Sequence, residues 1–350
     1  MKKWTFSGVV AIILLLGSLV LLGSYFAADL FPVLSEFGEN STQSSSTEET
    51  TTQETTTQET TTEETTVEET TTEETTTLYI PPVEQETQDQ VRTLTASHAF
   101  VYDLKSGEYL YEKGDRDQHI APASVTKLLS AFVALQHLMP DTVLTVGSEL
   151  ALINPNSSIA GLLPGQQLTV EMCVQCMMMP SGNDAAYVLA VAAGRAIGGS
   201  DLGPRTALET FMNEVNRIAQ LSGMKNTHFV NPDGMDAANH YTSPHDLVIM
   251  ARLALQNSII LKYAGEYYDE LTITSGQTLK LKNSNLLLDP NSKYYEPSAC
   301  GLKTGTTSKA GACLLSVFRK SSGFLIVGTF GCSTDYARYE DTCYLYHTYQ

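Results

Sequence analysis

Residues 41–77 hold 19 Thr, 10 Glu and no basic residue. Such a run has too little apolar side chain to bury a core, and its like charges repel. It predicts an extended, disordered spacer. Whatever folds must therefore be built from the chain beyond it. The segment 90–350 of the 350 residues is long enough for one domain with a real core. The tract also accounts for 10 of the 18 net negative charges, so the acidity says little about the folded part. It does argue against nucleic-acid binding.

Ahead of the spacer, Lys2 and Lys3 precede an uncharged stretch to Ala28, dense in Val, Ile and Leu. A cleaved signal peptide and a membrane anchor are the two readings. The stretch exceeds a usual signal core and shows no clean small-x-small cleavage site, which favours an uncleaved anchor. Two N-terminal lysines then put the short end in the cytoplasm and the rest outside. The expected organisation is an anchor or signal peptide at 1–28, a linker at 29–89 and a catalytic domain at 90–350.

Three short motifs follow in order within that domain: Ser124-Val-Thr-Lys127, Ser181-Gly-Asn183 and Lys303-Thr-Gly305. Each alone is weak. Ser-x-x-Lys recurs at Ser222-Gly-Met-Lys225, and a Lys-Ser-Gly decoy stands at Lys105–Gly107. The ordered set carries the signal. A serine hydroxyl is a poor nucleophile until a neighbour takes its proton. Residues three apart share a helix face, so Lys127 is expected above Ser124 in the first turn of a helix. Pro122 suits a helix start, and Leu128–Leu135 reads as buried helix. A helix N-terminus favours a developing oxyanion. Lysine serves as base only if its pKa falls, through desolvation or a second cation, for which Lys303 is the candidate. Ser181 can pass a proton to a leaving amine, and the Asn183 amide can hold substrate backbone. A strand edge carrying Lys303 and Thr304 can bind a carboxylate. Gly305 allows close approach of ligand backbone.

Alternation at 99–111 predicts a two-strand hairpin. Helical periodicity predicts helices at 124–138, 170–179, 183–197, 206–222 and 243–256. Strand-like runs stand at 270–282, 299–305, 311–319 and 323–331, and 335–349 reads as helical. Strands at both ends with helices between predict an antiparallel sheet made from the two termini.

The segments 121–127, 177–186, 226–235, 241–247 and 301–306 carry a resemblance in the right order. From about residue 95 to 350 the chain resembles the low-molecular-mass penicillin-binding proteins that are serine D-alanyl-D-alanine carboxypeptidases. The resemblance implies an α/β fold of the β-lactamase/transpeptidase kind. An antiparallel sheet is flanked by helices, with an all-α lobe and the active site in the cleft between. It implies Ser124 as acylated nucleophile, Lys127 as base and Ser181 as proton relay. Asn183, Lys303, Thr304, Gly305 and Thr306 would bind substrate, with the N–H groups of Ser124 and Thr306 as oxyanion hole. The substrate would be a peptidoglycan stem peptide ending in D-Ala-D-Ala, and β-lactams would acylate the same serine. No cofactor or metal is implied. Better-known members carry a further β-rich domain and a C-terminal amphipathic anchor. Neither is seen after the last strand here, and the N-terminal segment is expected to replace that anchor at the outer face of a bacterial membrane.

Competing readings stay open. A β-lactamase would need a water-activating glutamate, and none stands out between Asn183 and Lys303. A transpeptidase or endopeptidase shares the acyl-enzyme. A non-catalytic wall-binding module has no use for an activated serine. Ser222 and Lys225 read as a helix C-cap with a solvated lysine, and Lys105–Gly107 as a hairpin turn. Met177–Met179 reads as core. His240 and His245 read as loop residues, not metal ligands. Cys173 and Cys176 suit burial, while a Cys332–Cys343 disulfide is one option at an extracellular site.

Overall fold

The computed structural model describes residues 92–350, so the anchor, the whole linker and the first two residues of the expected domain lie outside the described residues. The first hairpin is β1 (His98–Asp103) and β2 (Glu108–Lys113). Lys105-Ser-Gly107 forms its turn, and Gly107, at φ 76°, donates its N–H to Asp103 O. A 3-10 turn at Ala123–Thr126 leads into α1 (Lys127–His137). Short strands β3 (Val143–Thr145) and β4 (Gln167–Thr169) pair before α2 (Val170–Met178), α3 (Asn183–Gly198) and α4 (Pro204–Leu221). Next come α5 (Pro244–Ala254) and α6 (Ser258–Gly265), the latter capped by Asn257 Oδ1 on the N–H groups of Ile259 and Ile260. The expected strand at 270–282 is a hairpin, β5 (Tyr268–Thr272) and β6 (Thr278–Lys282). Gly276 in its turn sits at φ 92°, which a through-running strand would not accept. The chain closes with β7 (Ala299–Thr307), β8 (Gly311–Lys320), β9 (Gly323–Cys332) and α7 (Ala337–Tyr349).

Five strands form one antiparallel sheet in the order β2-β1-β9-β8-β7. The first strand of the domain thus pairs with its last. Period-two alternation sorts the side chains to two faces. Ala99, Val101, Leu314, Phe318, Leu325 and Val327 pack with Leu345 and Tyr346 of α7. Phe318 stacks on Tyr346 at 4.2 Å between ring centroids. Phe100, Leu315, Val317, Ile326 and Phe330 face the opposite way, into the core shared with the helices. Within that core Leu128, Leu129 and Val133 of α1 are fully buried. Each such side chain contributes roughly 1.5–3 kcal/mol of transfer free energy. This fold is the antiparallel sheet with a helical lobe that the resemblance implied, and β7 is its edge toward the lobe.

Candidate active site

The nucleophile turn is held from three sides. Ser124 lies in the 3-10 turn, and the α-helix starts only at Lys127. The expected helical first turn is therefore replaced by a tighter one, in which residues three apart eclipse. Ala123 takes a left-handed φ of 48°, a costly conformation for a residue with a Cβ. Its carbonyl accepts the Thr126 hydroxyl, whose oxygen in turn meets His240 Nε2 at 3.0 Å. A Cβ on Gly234 would lie 1.8 Å from Ala123 O, so the 231–235 turn closes on this carbonyl only because residue 234 is glycine. On β7, a Cβ on Gly305 would lie 2.8 Å from both Ala123 Cβ and Ser124 N. Gly305 is thus needed for the approach of the nucleophile's own backbone, where ligand backbone had been expected.

Lys127 is fully buried. Its Nζ reaches three acceptors: Ser124 Oγ at 2.9 Å, Asn183 Oδ1 at 2.7 Å and Asp233 O at 2.9 Å. Burial lowers its pKa to about 8, while the carboxylates of Asp233 and Asp184 oppose the shift. Desolvation dominates here. The repulsion anticipated between the two amines is mutual, and it bears on Lys303 as well. Burial holds that group well below the ordinary lysine value, with Lys127 and Arg338 adding to it.

Ser181 and Asn183 sit where α2 gives way to α3. Ser181 is left-handed at φ 62°, and Ser158 Oγ donates to its carbonyl. Asp184, in the first turn of α3, accepts the backbone N–H groups of Ala160, Gly161 and Leu162. A buried carboxylate so satisfied ties the 154–163 loop to the motif. The Asn183 side chain is turned inward, its Nδ2 donating to Asp233 Oδ2 at 2.7 Å.

Lys303 Nζ donates to Thr304 O at 3.1 Å, and Thr304 Oγ1 lies 2.6 Å from Ser284 Oγ. Ser124, Ser181, Asn183, Thr304, Gly305 and Thr306 line one cleft of about 550 Å³. Arg338 and Ser284 line it too, and sequence reasoning missed both. Arg338 Nη1, from the first turn of α7, donates to Gly305 O and Thr306 Oγ1. It also pairs with Asp335 at 3.1 Å. That i,i+3 acid–base pair was its only sequence signal, and Ser284 had none. Asp233 lay inside a recognised turn, Asn231-Pro-Asp-Gly234, but no role was read from it.

The decoys fall elsewhere. Ser222 caps the C-terminus of α4, Gly223 follows at φ 90°, and Lys225 is exposed. Met177–Met179 are core. His240 is a buried loop residue, but His245 belongs to the first turn of α5, where it meets the Tyr109 hydroxyl. Among the described residues no group of His, Cys, Asp and Glu could hold a metal ion. Cys173 and Cys176 are buried, and Cys332 and Cys343 are not joined by a disulfide. No single described helix is long and apolar enough to cross a membrane.

Residues 84–334 match the family model for D-alanyl-D-alanine carboxypeptidase. D-alanyl-D-alanine carboxypeptidase DacF of Bacillus subtilis (strain 168) is 34% identical over 257 residues, 71% of this chain and 61% of the relative. DacC of Escherichia coli (strain K12) is 30% identical over 249 residues, 69% of this chain and 57% of the relative. The chain thus spans less than two thirds of the length of either. The crystal structure of the Streptomyces K15 DD-transpeptidase superposes with a TM-score of 0.65 at 27% identity, covering 73% of this chain and 97% of that one. Penicillin-binding protein D2 of Listeria monocytogenes, in its ampicillin-bound form, gives 0.58 at 26% identity, with 73% and 97% covered. With sheet, cleft and family match in agreement, the chain belongs to the D-alanyl-D-alanine carboxypeptidase family of serine peptidases.

Proposed function

We propose that this chain removes the terminal D-alanine from peptidoglycan stem peptides through an acyl-enzyme on Ser124. One observation carries the reading: a wholly buried lysine amine, with its pKa brought to about 8, stands 2.9 Å from the serine hydroxyl. Lys127 takes the Ser124 proton as Oγ attacks the carbonyl of the penultimate residue. The oxyanion faces the N–H groups of Ser124 and Thr306. Lys127 hands that proton through the Ser181 hydroxyl to the leaving nitrogen, the C–N bond breaks, D-alanine departs and Lys127 is neutral again. Water then attacks the ester, giving one proton to Lys127, which passes it to Ser124 Oγ as the ester C–O bond breaks. Lys303, Thr304 and Arg338 receive the terminal carboxylate, with Gly305 and Thr306 on the same edge and Asn183 beside Lys127. A β-lactam carries a carboxylate beside a strained amide and would acylate the same serine.

The N-terminal segment would hold this domain at the outer face of the cytoplasmic membrane, with the Thr/Glu tract as the spacer toward the wall. D-alanine release from an acyl-Lys-D-Ala-D-Ala peptide by the full chain in detergent tests the activity. Absence of release, with intact penicillin labelling, would count against it. Transfer to an amine is the second reading. The Streptomyces K15 protein goes under both names, carboxypeptidase and DD-transpeptidase. Adding an amino-acid acceptor to the same assay separates hydrolysis from transfer.

A further inference from the structure

Lys127 has three polar neighbours, yet an amine that is to act as base must keep one direction for its lone pair. A neutral amine has two N–H donors and one lone pair. Asn183 Oδ1 and Asp233 O can only accept, so they take the two N–H groups. The lone pair is left toward Ser124 Oγ, which can donate. This arrangement depends on which end of the Asn183 amide faces the lysine. Turned over, the amide would present NH₂ to the amine, and two donors would confront each other.

Asp233 decides that orientation. Its carboxylate is buried, and its Oδ2 accepts from Asn183 Nδ2 at 2.7 Å. Its Oδ1 accepts the Met235 N–H at 3.2 Å. Burial raises the Asp233 pKa, while Lys127 and the Met235 N–H oppose that rise; the ionised carboxylate can only accept, so the amide turns its nitrogen to Asp233 and its oxygen to Lys127. The same residue supplies the backbone carbonyl that takes the second N–H. We propose that Asp233 is a positioning residue of the acylation step: its carboxylate locks the Asn183 amide, and the locked amide aims the Lys127 lone pair at Ser124. The inference rests on the reading of Ser124 as the acylated serine.

Other charges face this group. Asp184 on α3 favours the ammonium form of Lys127, as Asp233 does. Lys303 on β7 feels Lys127, and Tyr187 on α3, kept protonated by burial, feels Asp233. Removing the Asp233 charge therefore has a signed consequence. The ammonium loses an anion, and the acid limb of acylation moves to lower pH even as the plateau rate falls.

The test is the pH dependence of penicillin acylation of the full chain, with Asp233→Asn. An asparagine there has one acceptor for two donors and adds a donor of its own, so the Asn183 amide is no longer forced into one orientation, without loss of volume. The plateau rate should fall at least about tenfold, and the acid limb should move below that of the unaltered chain. In an Asn183→Ala background the same substitution should change the plateau rate less than twofold, because the residue acts through that amide. Asp233→Ser is carried in parallel in case the amide variant fails to fold, and melting curves report folding of both. A folded Asp233 variant that labels at the normal rate with an unmoved acid limb would overturn the proposal. So would a loss that simply multiplies with that of Asn183→Ala. Failure of the unaltered chain to take label would instead remove the reading of Ser124, and this proposal with it.

Discussion

The hydroxyls of Ser284 and Thr304 lie 2.6 Å apart at the edge of β7. At this distance one hydroxyl donates and the other accepts, and only the acceptor keeps its own proton free. If Ser284 donates, the Thr304 proton is free to point into the cleft at a carboxylate. Ser284 is held for this from both sides: its N–H donates to Met179 O, and its carbonyl accepts from Tyr339 Oη. Ser284→Ala should raise KM for substrates ending in a free carboxylate by about fivefold, from a loss of ~1 kcal/mol. Matching C-terminal amides should be nearly unaffected. Equal loss on acids and amides would refute the arrangement.

Ser124→Ala should abolish both turnover and covalent penicillin labelling. Ser222→Ala, at the end of α4, should leave both intact. Mass spectrometry of the labelled protein checks the pair, and an adduct surviving on the first variant would exclude Ser124 as nucleophile.

Lys303→Ala should harm carboxylate-bearing substrates most. Loss of a charged hydrogen bond amounts to roughly 1.5–3 kcal/mol, or about 10- to 150-fold in kcat/KM. An anion arriving beside the buried Lys303 amine, whose pKa is held below its usual value, should raise that pKa by favouring the ammonium form. Calorimetry of a carboxylate ligand in buffers of different ionisation enthalpy should then report net proton uptake.

The pH profile follows from Lys127. Only the neutral amine can accept the Ser124 proton, and its pKa is about 8. Acylation should therefore rise with pH up to about 8 and level off above it. A profile already flat from pH 6 would show that another group sets the rate.

His240 links the nucleophile turn to stability. Burial lowers its pKa from 6.5 to about 4. Its Nδ1 accepts the Val230 N–H, so the ring is neutral and donates from Nε2 toward Thr126. The unfolded chain takes up a proton near pH 6.5, the folded one only near pH 4. Stability is unaffected by this group above pH 6.5 and falls as pH drops from there to 4, by about 2–3 kcal/mol in all. Carboxylates titrate in the same window, so the measurement is a difference. His240→Gln should show a shallower fall in melting temperature from pH 7 to 4 than the unaltered chain.

Much of this was legible in the chain because it is local. Ser124 and Lys127 are three residues apart, so any helical turn brings them together. The continuous apolar and small-residue runs at 311–319 and 323–331 yield strands whichever partner they find. The Thr/Glu tract excludes a core by composition alone. Two elements were misread for local reasons as well: the Gly276 turn inside 270–282 was overlooked, and so was the Asn257 cap that starts α6. The site itself needed the tertiary fold. Asp233, Ser284 and Arg338 come from three distant segments without a shared spacing, and only packing sets them beside the motifs. The basicity of Lys127 is likewise a property of its surroundings. The motif names the amine, but the exclusion of water by α1, α3, β7 and the 231–235 turn lowers its pKa, and the Asn183 and Asp233 acceptors decide where its lone pair is left to point.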